Sequence, residues 1–276
     1  NARYLKKNEK FGMRLPESVK DAIEIDKQNG NTYWQDAIAK EMKNVKPAFK
    51  VLEEGDALPN RNYQFVKYHM IFDVKMEDFR RKARLVAGGH MAEAPAAITY
   101  ASVVSRETVR IALTIAALND LEVKVGDVMN AYITAPCSEN IYTTLGPEFG
   151  EDEGKRAIVV RALYGLKSSG AAFRKHLGEC MQNMGYKPCL ADPDLWLKPM
   201  AKPNGEEYYS YILNYVDDIM VIHHDAMPIL EEINKFMKLK PDSVGDPDVY
   251  LGDKLKQVQL DNDIWCWTIS SSKYCQ

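Results

Sequence analysis

Residues 212–222, with the sequence ILNYVDDIMVI, place two adjacent aspartates inside an otherwise apolar run. The run contains neither Gly nor Pro, and its length suits two strands that meet at the aspartates. Burying an unpaired charge costs several kcal/mol, so Asp217 and Asp218 require a compensating partner if they lie in the core. An isolated Asp-Asp pair usually marks an exposed turn. Because the apolar Val216 and Ile219 bracket this pair, we favour a functional site.

A divalent cation would compensate the charge of both carboxylates. Repulsion within a close pair raises the proton affinity of one carboxylate, and Mg²⁺ prefers oxygen ligands, such as carboxylates together with substrate phosphate and water. Successive strand residues point to opposite faces, so Asp217 and Asp218 share one site only if both lie in the turn. Asp127, which ends a predicted strand between Val125 and Val128, is the candidate for a third carboxylate.

The pattern along the rest of the chain predicts an α+β fold. Apolar residues three or four positions apart predict amphipathic helices over residues 31–45 and 105–120. Residues 254–260 and 264–270 form a candidate hairpin across Asp261–Asp263. Helices and strands alternate irregularly, which favours an α+β fold over a doubly wound parallel sheet.

Composition narrows the class of protein. The 276 residues carry a formal net charge of −3, which gives no global signal for binding nucleic acid or membrane. A basic segment over residues 67–84 is nevertheless suited to bind phosphate groups. The five cysteines form no C-x-x-C pair and are odd in number, which favours a reducing, intracellular compartment. No apolar stretch reaches transmembrane length, so we expect no membrane partner.

Five motifs follow one another along the chain: KARLVAGG (82–89), DVMNAY (127–132), ALYGLKSSGAAF (162–173), YVDD (215–218) and YLGDKL (250–255). Together they resemble one family, the reverse transcriptases of copia-type (Pseudoviridae-like) LTR retrotransposons. The resemblance extends over about residues 32–274 and begins with a helix similar to the Trp-Ala-Glu helix of that family. A single four-residue match would be weak, but the shared order of all the motifs makes the resemblance specific.

The resemblance implies a right-hand polymerase fold of the α+β class, in which the palm is a small antiparallel sheet backed by helices. We expect residues 1–29 to be a linker and residues 30–276 to be the reverse transcriptase domain. The thumb and RNase H regions of the family are expected to be absent, so that the chain is a fragment of a Pol polyprotein. The expected parts are fingers at about 30–100 and 138–175, palm at about 101–137 and 176–249, and a primer-grip hairpin region at about 250–276.

The implied activity is that of an RNA-directed DNA polymerase, which transfers a nucleotide from a dNTP to a primer 3′-hydroxyl. Asp127, Asp217 and Asp218 match the three palm aspartates of the family. They would hold two Mg²⁺ ions, with Mn²⁺ as the alternative ion, and the backbone carbonyl of Val128 is expected near one of them. The implied partners are an RNA or DNA template with its primer, and a dNTP.

Further residues match nucleotide and primer contacts of the family. Lys82 and Arg84 match residues that hold the triphosphate, for which a solvated basic strand is the alternative interpretation. Tyr132 matches the ring that packs under the sugar and excludes a 2′-hydroxyl, for which a place in an apolar strand of the core is the alternative. The motif Tyr250-Leu251-Gly252 matches the primer grip, for which an ordinary strand with a Gly bulge is the alternative.

The chain departs from the family pattern after LYGLK, where Gln, a small residue, Pro and Arg usually follow. Ser168 stands in place of the Gln and Ala171 in place of the Arg. The alternative function is therefore an inactive relic, or an adapted domain that folds and binds nucleic acid. A template-independent nucleotidyltransferase would need the same aspartates.

For the parent polyprotein we expect integrase and RNase H segments and a cytoplasmic virus-like particle, with the nucleus as the other location.

Overall fold

The computed structural model describes residues 9–76, 78–93, 99–261 and 264–271. Its helices are α1 (Val19–Asn29), α2 (Tyr33–Val45), α3 (Arg106–Leu118), α4 (Ala131–Thr134), α5 (Ser169–Asn183) and α6 (Met227–Phe236). Its first strands are β1 (Glu9–Lys10), β2 (Met13–Arg14), β3 (Phe49–Val51), β4 (Gln64–Phe65), β5 (Tyr68–Val74), β6 (Arg81–Ala87), β7 (Glu122–Asp127) and β8 (Ile141–Thr144). The strands that follow are β9 (Arg156–Val159), β10 (Lys187–Pro188), β11 (Leu195–Ala201), β12 (Glu207–Tyr215), β13 (Asp218–His223), β14 (Val249–Tyr250), β15 (Asp253–Gln259) and β16 (Trp265–Ser270). The mixture of helices with several mainly antiparallel sheets agrees with the predicted α+β class.

Contacts divide the chain into two units. The first unit comprises residues 1–99 and 132–173, and the second comprises residues 100–131 and 174–276. The chain thus passes from the first unit to the second, back to the first, and again to the second. Each unit has its own hydrophobic cluster, and each is described by itself below.

The core of the first unit forms around helix α2. The spacing predicted this helix, and its apolar side chains Trp34, Ile38, Met42 and Val45 are all buried. Trp34 meets Phe72 edge to face with ring centroids 5.6 Å apart. The antiparallel ribbon of β5 and β6 and a sheet in the order β3-β9-β8-β4 complete the unit.

Helix α1 corrects the prediction that residues 1–29 are a linker. Residues 1–8 lie outside the described part of the chain, but α1 begins after a Ser18 cap and buries Ala22 and Ile25 in the same core as α2. Asp26 is completely buried, and its carboxylate accepts hydrogen bonds from the amides of Trp34 and Gln35 at 3.0 and 2.9 Å. The buried Asp26 carboxylate of α1 therefore caps the next helix.

The second unit is built on an antiparallel sheet in the order β10-β11-β12-β13-β7. Helix α3, predicted with its Ser105 cap, packs its buried residues against one face, where Val123 of β7 lies. A side chain at Gly126 would meet Leu230 of α6 at 3.4 Å. Residues 123 and 126 point to opposite faces of β7, so α3 and α6 cover the two sides of this strand.

The predicted hairpin near the end of the chain is confirmed. Strands β15 and β16 pair antiparallel, with Lys254 opposite Ser270 and Gln259 opposite Trp265. Of the predicted turn, residues 262 and 263 lie outside the described part of the chain. Leu255 and Ile269 of this hairpin pack in the same cluster as α3, so the hairpin extends the core beneath the sheet.

Candidate active site

The hairpin formed by β12 and β13 carries two aspartates at its tip. Val216 and Asp217 form the two-residue turn, and Asp218 is the first residue of β13, paired with Tyr215. The sequence left open whether both aspartates lie in the turn; Asp217 does, and Asp218 begins the strand that follows it. Val216 has a φ of 54°, an unusual conformation for a β-branched residue, which indicates backbone strain at the tip.

Asp127 joins these two residues through the strand pairing. Asp218 of β13 lies directly opposite Asp127 of β7 in the antiparallel register, so both side chains emerge on the same face. The amide of Val128 donates a hydrogen bond to the carbonyl of Asp217 at 2.8 Å, which fixes the turn beside the end of β7. The three predicted aspartates therefore meet at one end of the sheet of the second unit. Their shared location follows from strand register.

Burial and like charge combine at Asp218. Its pKa is raised to about 6, first because the carboxyl is withdrawn from water, and then because Asp217 and Asp127 repel its charge. The nearby Lys240 acts in the opposite direction. A carboxyl with a pKa near neutrality, between two others, is typical of a site that receives a cation or a proton.

Lys240 is the residue of this site that sequence reasoning missed. Its ammonium lies 2.5 Å from Oδ2 of Asp127, and its amide donates to the carbonyl of Asp127 at 2.8 Å. The Ser243 hydroxyl accepts the Asp127 amide at 2.8 Å. The segment after α6 thus wraps around Asp127. No sequence motif predicted a role for Lys240, because its place in the site depends on its contact with Asp127, more than a hundred residues earlier in the chain.

The donor set fits a hard divalent cation by its chemistry. Three carboxylates converge, and the raised pKa of Asp218 shows that a positive charge at this point would lower the energy of its ionised form. Within the described residues, no group of three or more His, Cys, Asp or Glu side chains is already arranged to hold a metal ion. The ammonium of Lys240 instead lies against Asp127. Whether Val128 supplies a carbonyl ligand stays a prediction.

The residues predicted to bind the nucleotide lie in the first unit, and two of them, Arg84 and Tyr132, contact the ring of Tyr164. Arg84 of β6 places its guanidinium carbon 4.9 Å from the ring centroid of Tyr164. Tyr132 lies in the short helix α4, not in the predicted strand, and its ring centroid is 4.7 Å from that of Tyr164. Lys82 lies two residues before Arg84 and so on the same face of the strand. Their roles toward a nucleotide remain predictions.

The predicted primer-grip motif forms a tight turn in the second unit. Tyr250 is buried, and its hydroxyl donates a hydrogen bond to the carbonyl of Leu213 at 3.1 Å. Burial raises the pKa of Tyr250 well above its usual value, with a further contribution from the charge of Asp218. Leu251 and Gly252 have φ values of 54° and 78°, as in the primed turns of hairpins. Tyr250 thus supports the sheet near Asp218, and the primer role of the motif stays a prediction.

The residues that depart from the family pattern have structural partners. The Ser168 hydroxyl donates to the carboxylate of Glu139 at 2.6 Å, and the Ser168 amide donates to the same oxygen at 2.9 Å. No arginine stands at position 171, but Arg174, one helical turn later, donates to Asp194 at 2.8 Å in the second unit. Glu139 and Asp194 are both buried polar residues that sequence reasoning missed, since no local pattern marks them.

The sequence is similar to those of known proteins. The sequence model of the family described as "Reverse transcriptase (RNA-dependent DNA polymerase)" matches residues 57–271. The Retrovirus-related Pol polyprotein from transposon TNT 1-94 of Nicotiana tabacum is 27% identical over 279 aligned positions, which cover 95% of this chain and 20% of that protein. The Pol polyprotein from transposon RE1 of Arabidopsis thaliana is 28% identical over 53% of the chain and 10% of that relative. The one from transposon RE2 is 27% identical over 65% of the chain and 12% of the relative.

These relatives are much longer than the chain, which spans about a fifth of the first of them. Among the described residues, no helix is long and apolar enough to cross a membrane.

Proposed function

Because the chain belongs to the reverse transcriptase (RNA-dependent DNA polymerase) family, we propose that it catalyses RNA-directed DNA synthesis as part of a retrotransposon Pol polyprotein. The reaction joins the primer 3′-hydroxyl to the α-phosphate of a dNTP and releases pyrophosphate. The observation that carries the proposal is the convergence of Asp127, Asp217 and Asp218 at one end of the sheet. Relatives described as retrotransposon Pol polyproteins support the biological setting.

The proposed chemistry assigns the three carboxylates to two Mg²⁺ ions, with Mn²⁺ as an alternative. When bound, such ions lower the pKa of a hydroxyl nucleophile and stabilise the charge that develops on phosphate oxygens. Asp127 and Asp218 present their oxygens from opposite strands, and Asp217 presents its own from the turn. Lys240 neutralises Asp127 in the absence of an ion, so it has to release Oδ2 when an ion binds.

The two units fit a division into fingers and palm. We assign the second unit, with its antiparallel sheet, to the palm, and the first unit, with β5 and β6, to the fingers. In this assignment Lys82 and Arg84 bind the triphosphate, and Tyr132 packs under the sugar. The template, its primer and a dNTP are the proposed partners, together with the remaining segments of the polyprotein. Residues 250–252 are assigned to the primer end.

Primer extension tests the proposal. The chain is incubated with poly(rA)–oligo(dT), dTTP and Mg²⁺, and compared with its Asp217→Asn variant. Asp225→Asn is the control, since Asp225 is exposed just beyond the opposite end of β13. We expect extension by the parent and the control, and none by Asp217→Asn. Equal extension by all three proteins would contradict the assigned metal site.

The alternative function is an inactive relic, or an adapted domain that folds and binds nucleic acid. The same assay separates the two functions when it is repeated on a chain extended along the polyprotein. Absence of extension by both folded proteins would favour the relic. Extension that persists without a template would instead identify a template-independent nucleotidyltransferase.

A further inference from the structure

We propose that Tyr164 is a positioning residue for sugar selection, because its ring contacts both Arg84 and Tyr132. This inference rests on the proposed polymerase function and adds to it a residue outside the set of predicted contacts. Tyr164 belongs to the LYGLK motif, for which the polymerase assignment provided no role. All three residues lie in the first unit, so the proposal does not depend on how the two units are arranged.

The backbone around Tyr164 is held tightly against β6. The carbonyl of Tyr164 accepts the amide of Ala87 at 2.7 Å. Gly165 follows with a φ of 90°, and a Cβ there would come within 2.1 Å of the Ala87 carbonyl oxygen, so only glycine fits. Since Ala87 is the last residue of the strand that carries Arg84, this contact sets the distance between Tyr164 and the guanidinium.

Hydrogen bonds close the loop that presents Tyr164. The Ser169 hydroxyl accepts the Leu163 amide at 3.0 Å and donates to the Leu163 carbonyl at 2.7 Å. The neighbouring Leu163 and Leu166 are buried in the core of the first unit. Ser168, bound to Glu139, fixes the far end of the loop. Ser168 and Ser169 thus hold in place the loop that carries Tyr164.

The Tyr164 ring then contacts two groups with proposed nucleotide roles. Arg84 lies over it with its guanidinium carbon 4.9 Å from the centroid, within the range of a cation–π interaction. Tyr132 meets it at 4.7 Å with an angle of 63° between the ring planes. Tyr132 also meets the buried ring of Phe173, with ring centroids 6.2 Å apart. Tyr132 therefore packs against both Tyr164 and Phe173.

The functional consequence follows from this arrangement. Exclusion of a 2′-hydroxyl requires that the Tyr132 ring keep its place, since displacement by about 1 Å is enough to impair a positioned group. Removing the Tyr164 ring would free one side of Tyr132 and also release Arg84. We therefore expect selection between deoxynucleotides and ribonucleotides to weaken, while the catalytic aspartates remain unaltered.

The test compares Tyr164→Leu and Tyr164→Phe with the parent on poly(rA)–oligo(dT). The measured quantity is the ratio of kcat/KM for dTTP to kcat/KM for UTP. We expect Tyr164→Leu to lower this ratio by about tenfold, the scale on which loss of one packing contact changes selectivity. Tyr164→Phe, which keeps the ring, should stay near the parent. Tyr142→Leu is the matched control, because Tyr142 is a half-buried tyrosine of the same unit that contacts Phe65.

A double variant shows whether Tyr164 acts through Tyr132. Tyr132→Ala alone should lower the ratio at least as far as Tyr164→Leu, and the combined variant should fall no further than Tyr132→Ala. Should Tyr164→Leu fail to fold, Tyr164→Met replaces it, since the flexible Met side chain refills irregular space. An unchanged ratio in a folded Tyr164→Leu or Tyr164→Met chain would overturn the inference alone. Absence of extension by the folded parent and by the chain extended along the polyprotein would overturn the proposed function and the inference together.

Discussion

At the scale of single residues, the surroundings of Asp218 disfavour the ionised form of its carboxyl. Its carboxyl is half-buried and lies close to the charges of Asp217 and Asp127, which together with burial raise its pKa to about 6. An unfolded chain would give this carboxyl a pKa of about 4. The folded chain thus holds the proton more tightly than the unfolded chain. The stability that this proton provides is complete below about pH 4 and is lost as the pH rises through about 6.

We therefore predict that Asp218→Asn stabilises the ion-free chain at pH 7.5. The expected gain in the free energy of unfolding is about 1–2 kcal/mol, allowing for solvent screening. The gain should disappear below about pH 4, where the carboxyl is protonated in both states. Urea denaturation at the two pH values, with a chelator present, measures it. Asp242→Asn, at an exposed position, is the control, and a destabilised Asp218→Asn at pH 7.5 would refute the prediction.

At the scale of helices and strands, α1 and α2 behave as a coupled pair. Asp26 of α1 is completely buried and caps α2 through the amides of Trp34 and Gln35. Ala22 and Ile25 add buried apolar surface from the same helix. A segment that resembles a linker in composition is thus part of the core. Its contribution to stability comes from a contact between two helices.

We predict that Asp26→Ala lowers the free energy of unfolding by about 2 kcal/mol, because it removes a helix cap and leaves buried amides without an acceptor. Thermal or urea unfolding of the chain measures the loss. Glu24→Ala, at an exposed position of the same helix, should change stability by less than about 0.5 kcal/mol. Equal stability of Asp26→Ala and the parent would show that the cap is dispensable and would restore the linker interpretation.

Local patterns were sufficient to predict elements whose apolar spacing is regular. Helices α2 and α3 follow from periodicity, and the β15–β16 hairpin follows from two apolar runs around a turn. Tyr132 was placed in a strand, but Asn130 adopts a φ of 53° just before α4. Such a turn ends the strand at Asp127. The identity of the following residues does not reveal the change in backbone direction.

The candidate site was predictable in its residue types and only partly in its geometry. Apolar flanks singled out Asp217 and Asp218, and the position of Asp127 after a strand suggested it as a third carboxylate. Register, which places Asp218 opposite Asp127, depends on pairing between distant strands. Lys240 and Glu139 depend on long-range packing in the same way. A single sequence contains no local signal for such contacts.

At the scale of the whole molecule, the chain consists of two units that contain different groups of proposed site residues. The second unit brings together the aspartates, and the first unit holds the Arg84–Tyr164–Tyr132 contacts. The relatives from plant transposons are Pol polyproteins of which the chain matches a fifth or less.

We propose that Asp127, Asp217 and Asp218 act together as one site for divalent cations. Binding of Mn²⁺ to the chain, followed by electron paramagnetic resonance without nucleotide, tests this site. We expect the parent and the exposed Asp242→Asn control to bind Mn²⁺ alike, and Asp127→Asn to bind it at least about tenfold more weakly. Equal Mn²⁺ affinity of the parent and Asp127→Asn would contradict the claim, because the ion would then be held elsewhere.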